Sequence, residues 1–278
     1  MRSKLFVPGS RPELFAKAMA SAADGISLDL QDAVAADRKV EARAEVARFL
    51  ASRPGGKRII VRVNPLGSPH FAADMDAVLV PGLDMVNLPM VESGDDVREA
   101  AERIEQSGLS INILANIETP RALRCAAEIA GAHRLVGGLQ AGFGDLFEPF
   151  GIDRAETVAV RHVLVQIRLA AAEADVAAYD GAYANVADAE GFREECRFAQ
   201  RLGYAGKSCI HPSQVPLANE CFRPDAATVA QARRVLDAAA AAAANGVGAF
   251  MVDGRMVDGP FIESARALVA AAEQADGA

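Results

Sequence analysis

Short apolar runs recur along the chain at 5–7, 26–30, 59–63, 85–89, 111–117, 135–139, 176–179 and 206–210. Each is rich in Val, Ile, Leu or aromatic residues, which suits a buried strand. Between them lie Ala/Glu/Arg-rich stretches with apolar residues at helical spacing, as at 95–106, 120–130, 154–174 and 189–202. Eight strands alternating with helices predict a parallel sheet, and eight consecutive units predict a closed (β/α)8 TIM barrel rather than an open doubly wound sheet. Residues 1–215 are assigned to this barrel.

Residues 216–278 exceed what a minimal barrel needs and carry their own signals. Asp225 is placed to cap a helix that runs through seven consecutive alanines to Ala244 and stops at Asn245–Gly246. Asp253–Gly254 in AFMVDGRMVD is the signature of a two-residue hairpin turn, and Pro260 opens a last helix. The expectation is a helix-hairpin-helix extension that reaches over a barrel mouth, its own or a neighbour's.

In a TIM barrel the catalytic groups stand at the C-terminal ends of the strands. The polar residues there are Arg11, Asp29, Gln31, Asp32, Arg62, Asn64, Glu118, Asp145 and His211. Glu118 and Asp145 end consecutive repeats with no His or Cys beside them, so they form a hard oxygen pair suited to Mg²⁺ or Mn²⁺. The plainer alternative is a backbone contact for Glu118 and a helix cap for Asp145. Arg62 stands where a strand residue is apolar unless it faces the mouth. It can grip a carboxylate or form an ion pair with Asp29 or Asp32. Arg11 follows a Gly-Ser turn that offers backbone N–H groups to a phosphate, although an ordinary turn explains it as well. His211, followed by Pro212 and Ser213, reads as a brace for its loop. The glycines at 137, 138, 142 and 144 do not give the dinucleotide spacing after the first strand.

Composition narrows the classes. A formal charge of -8 carries no basic footprint for nucleic acid. Cys125, Cys196, Cys209 and Cys221 are scattered, which argues against a zinc knuckle or a disulfide framework. The first residues meet charge and Pro8 too early for a signal peptide, and no apolar run has membrane length, so a cytoplasmic protein is expected.

The segments LFVPGSRPE, LDLQDAV, VRVNPLGSP, NIET, GFGDL, GYAGKSCIHPSQV and GRMVDGP occur in this order. In them the chain resembles the citrate lyase β-subunit-like family of the HpcH/HpaI aldolase and citrate lyase superfamily. The resemblance implies a Mg²⁺-dependent lyase that cleaves or forms β-hydroxyacyl thioesters of coenzyme A, giving a 2-oxo acid and an acyl-coenzyme A. It makes Glu118 and Asp145 the metal ligands and gives Arg62 the substrate carboxylate. Arg11 and Lys207 fall near the coenzyme A moiety, Asp29, Gln31 and Asp32 stand behind the site, and Asp258 matches a base often lent by a neighbouring subunit. A homo-oligomer, trimer or hexamer, follows from the same likeness. One position departs from the pattern: Gln31 stands where the family usually has Glu, and an amide accepts no proton. A pyruvate-type class II aldolase is the rival enzyme, disfavoured because Gln31–Asp32–Ala33 lacks its His. A barrel that has lost turnover is the other alternative.

Overall fold

The computed structural model describes residues 1–52 and 55–276. Eight parallel strands close into one barrel in chain order: β1 (Ser3–Pro8), β2 (Gly25–Asp29), β3 (Arg58–Arg62), β4 (Met85–Leu88), β5 (Asn112–Ile117), β6 (Val136–Ala141), β7 (Ala177–Asp180) and β8 (Gly206–Cys209). Every predicted strand is present, and β1 seals the ring by pairing with β8. Most of the apolar core lies between the strands and their surrounding helices. A separate small cluster of Ile60, Met85, Leu114 and Tyr179 marks the barrel's inner side, because these residues are in register or two apart on successive strands. Strand alternation then turns Arg62, Asn87, Asn116, Gln140 and Ser208 inward as well.

The helices meet expectation with one break. The predicted 120–130 helix divides into Pro120–Arg124 and Ala126–Gly131, because Cys125 leaves helical geometry at φ -97, ψ 12. Thr119 caps the first piece by accepting from the Ala122 N–H at 3.0 Å. The barrel unit runs from Met1 to Phe222, one helix beyond the expected boundary. The helix Gln214–Cys221 packs on β1 and β8 and supplies the eighth helical position.

The second unit, from Arg223, contains the helix Ala226–Ala244, the strands Phe250–Val252 and Arg255–Val257, and the helix Gly259–Asp276. Asp225 caps the first helix through the Thr228 N–H at 2.9 Å. Asp253 and Gly254 both adopt left-handed backbone, φ 49 and 77, as a two-residue hairpin turn requires. No helix among the described residues is long and apolar enough to cross a membrane.

Candidate metal and substrate site at the barrel mouth

Glu118 leaves the end of β5 and is 2% exposed. Its Oε1 accepts from the Met90 N–H at 2.7 Å and its Oε2 from the Asn116 amide at 3.1 Å. Met90 holds a left-handed backbone, φ 53, which side chains other than Gly rarely adopt. That strained geometry aims its N–H at the carboxylate, as strain at working sites often does. Gly142 completes the seat, because a Cβ there would stand 2.4 Å from Glu118 Oε2. Burial, with the nearby Asp145 charge adding to it, pushes Glu118 up to about 7.

Asp145 lies exposed in the first turn of the helix Phe143–Phe147, directly after β6. Gly142 occupies the cap position and no side chain caps this helix, so Asp145 is not spent as an N-cap. Its charge reaches both Glu118 and Asp32. Among the described residues no three His, Cys, Asp or Glu side chains form a metal cage. Magnesium does not need one, since one or two carboxylates commonly hold it and leave its other positions to water and substrate. The residues present fit such an ion. Two repelling carboxylates share the mouth, and Glu118 accepts only one hydrogen bond on each oxygen.

Arg62 faces the same mouth from β3. Its Nε and Nη2 reach Asp29 Oδ1 and Oδ2, each at 2.7 Å, and its Nη1 stands 3.5 Å from Asp32. The guanidinium fork is thus taken by Asp29, with Nη1 left beside Asp32. Asp29 is fixed in turn by the Gln31 and Ala33 N–H groups, at 2.9 and 3.0 Å. Gln31 itself is nearly buried and its Oε1 has no hydrogen-bond partner, while the Asp32 side chain is 62% exposed.

Four other candidate residues have defined surroundings of their own. Arg11 is exposed and paired with Glu13 at the turn after β1. His211 braces its loop as expected, its Nδ1 meeting Ser213 Oγ at 2.8 Å. Lys207 departs from the coenzyme A contact that the resemblance implies: its side chain is fully buried, with Nζ 2.5 Å from Asp180 and 2.8 Å from Glu195. The two carboxylates already answer its charge. Asp258, in the second unit, receives the Phe261 and Ile262 N–H groups on its carbonyl, and its Oδ1 is buried without a partner.

Sequence reasoning missed Lys4. It projects inward from β1, is 2% exposed, and bonds the Gln140 amide oxygen. The signal was available, because Lys4 and Phe6 share one face of a strand whose other face is apolar.

Residues 2–212 match the HpcH/HpaI aldolase/citrate lyase family, and the chain belongs to it. It is 39% identical over 97% of its length to a citrate lyase subunit beta-like protein of Deinococcus radiodurans, of which it covers 96%. It is 36% identical to a (3S)-malyl-CoA thioesterase of Cereibacter sphaeroides, the alignment covering 98% of this chain and 94% of the relative. In structure it is similar to CitE of Mycobacterium tuberculosis in complex with magnesium, acetoacetate and coenzyme A. The TM-score is 0.79 at 35% identity, over 98% of this chain and 100% of the other.

Proposed function

We propose that the protein is a Mg²⁺-dependent carbon–carbon lyase that cleaves or forms a β-hydroxyacyl thioester of coenzyme A. Its small-molecule partners are then a 2-oxo acid and an acyl-coenzyme A. The observation that carries this reading is the convergence of Glu118 and Asp145 on one mouth, with Glu118 raised to about 7 and Arg62 opposite. The related citrate lyase-like and malyl-CoA proteins, and the magnesium and coenzyme A bound by CitE, support it.

Held by Glu118 and Asp145, magnesium supplies Lewis acidity to the oxygens of the oxo acid. The chain's own groups do the rest. Arg62 Nη1, fixed by the Asp29 pair below it, offers a positive charge where an oxygen becomes negative during cleavage. The Gln31 Oε1 accepts a hydrogen bond from a substrate hydroxyl and cannot take its proton. Asp258 is assigned that proton on the family resemblance, and its Oδ1 has no hydrogen-bond partner of its own. Arg11, exposed beside the first strand, is assigned to the coenzyme A phosphates. A pyruvate-type aldolase fits less well, since no His follows β2.

Incubation with acetyl-coenzyme A and a panel of 2-oxo acids will give a new thioester with Mg²⁺ and none with EDTA. A panel without product in either direction rejects the lyase. Asp258 is proposed to act across a subunit boundary of a homo-oligomer. Mixed Asp258→Asn and Glu118→Gln protomers, each inactive alone, will then recover part of the activity after subunit exchange. No recovery after verified exchange counts against sharing between chains.

A further inference from the structure

The lumen of this barrel is unusually polar. Directly above the apolar floor, the inward positions of the even-numbered strands are Ser27, Asn87, Gln140 and Ser208, where a TIM barrel ordinarily packs Val, Ile and Leu. Ser27 Oγ, both ends of the Asn87 amide and Asn116 Oδ1 are buried without any hydrogen-bond partner. Buried polar groups in folded proteins are nearly always paired, so a cluster of orphans marks a place that solvent or a ligand completes.

Lys4 adds a charge to that place. Its Nζ bonds Gln140 Oε1, which Ser208 also approaches at 3.3 Å, and it lies 4.6 Å from the Phe6 ring centroid. Arg62 lies 5.0 Å from the same ring. The two cations differ in one respect. Arg62 is answered by Asp29 and Asp32, whereas Lys4 has no carboxylate at ion-pair distance among the described residues. A buried cation without a counter-ion is unfavourable, and burial with the Arg62 charge beside it holds Lys4 well below its usual value despite the opposing fields of Glu118 and Asp29. A carboxylate has the acceptor sites to take a hydrogen bond from both the Lys4 Nζ and the Asn87 Nδ2. Lys4 feels the charge of Glu118, so a group held at Glu118 can extend a carboxylate toward it.

We infer that Lys4 and Asn87 form an anion subsite in the barrel lumen that takes the distal carboxylate of a dicarboxylic 2-oxo acid. The inference rests on the lyase reading and narrows its substrate class. Calorimetric titration with Mg²⁺ present, using freshly dissolved oxaloacetate and pyruvate as probes, tests it without turnover. The wild type will bind oxaloacetate about tenfold or more tightly than pyruvate, the worth of one good charge-assisted contact. Lys4→Met will erase that preference while leaving pyruvate affinity within about twofold. Asn87→Leu, which blocks the subsite by shape, will do the same and serves if the first variant does not fold. Equal affinity for both acids in the wild type, or an unchanged preference in folded Lys4→Met, overturns the subsite alone. Binding of neither acid overturns the lyase reading and the subsite with it.

Discussion

Replacing Glu118 with Gln will abolish Mg²⁺-dependent turnover and, in the metal-free protein above pH 7, raise the melting temperature by roughly 5 °C. The two effects share one cause. Glu118 is buried beside Asp145, and both conditions disfavour its charged form. Its folded value of about 7 lies above the ordinary carboxyl value of 4.5, so between those limits the native state binds more protons than the unfolded chain. Stability therefore falls as pH rises through that window, and above it the native state carries a penalty of about 3 kcal/mol from this one group. A neutral amide removes the penalty. It can keep the Met90 N–H on its oxygen and donate to Asn116 Oδ1, now unpartnered, once the Asn116 amide turns over.

The same carboxylate links the proton to the metal. Mg²⁺ must displace the proton from Glu118, so its apparent affinity will drop about tenfold for each pH unit below 7. Asp145→Asn will also lose turnover, and by removing a neighbouring negative charge it will lower the Glu118 value toward the ordinary range. Titrations of Mg²⁺ between pH 6 and 8, with melting curves on the metal-free variants, check all three statements. Flat affinity across that range, or Mg²⁺-dependent turnover in Glu118→Gln, removes Glu118 from the site.

Much of this arrangement was legible in the sequence because the barrel enforces it. Strands buried on both faces read as short apolar runs, and a carboxylate closing such a run stands at the mouth wherever the ring closes. Glu118 and Arg62 were found on that logic. Contacts between distant strands leave no local trace. Nothing near Arg62 distinguishes a fork held by Asp29 from one open to substrate, since the pairing depends on the register of Asp29 with Arg62 across β2 and β3. Lys4 was passed over because the strand's outer residues carried the apolar signal by themselves. The helix Gln214–Cys221, with Pro216 inside it, has weak helical periodicity of its own, so its sequence does not say which unit it joins. The contacts with β1 and β8 decide it.

The residue whose role changed most carries the second large prediction: Lys207→Met will destabilise the barrel by about 3–5 kcal/mol, as loss of one partner from a buried ion pair does. Lys207 faces outward from β8 toward the helix Ala189–Arg201, where Phe192 packs against it and Glu195 reaches Nζ. Burial alone would lower its value, but Asp180 and Glu195 more than offset this and raise it. Arg154 joins through Glu195 at 2.9 Å and lies 4.8 Å from the Phe143 ring centroid, in the helix that carries Asp145. Without the ammonium, Asp180 keeps its burial and loses its counter-charge, while Arg154 still answers Glu195. Adding Asp180→Leu to Lys207→Met will therefore recover most of the loss, because apolar groups replace both members of a buried pair at little net cost. Urea midpoints for the wild type, the single variant and the double variant, read beside coenzyme A affinity, separate the two roles for this lysine. A structural cation moves the midpoint and leaves coenzyme A binding in place. An unshifted midpoint with weakened coenzyme A binding would restore Lys207 to the coenzyme A contact that the family resemblance implies.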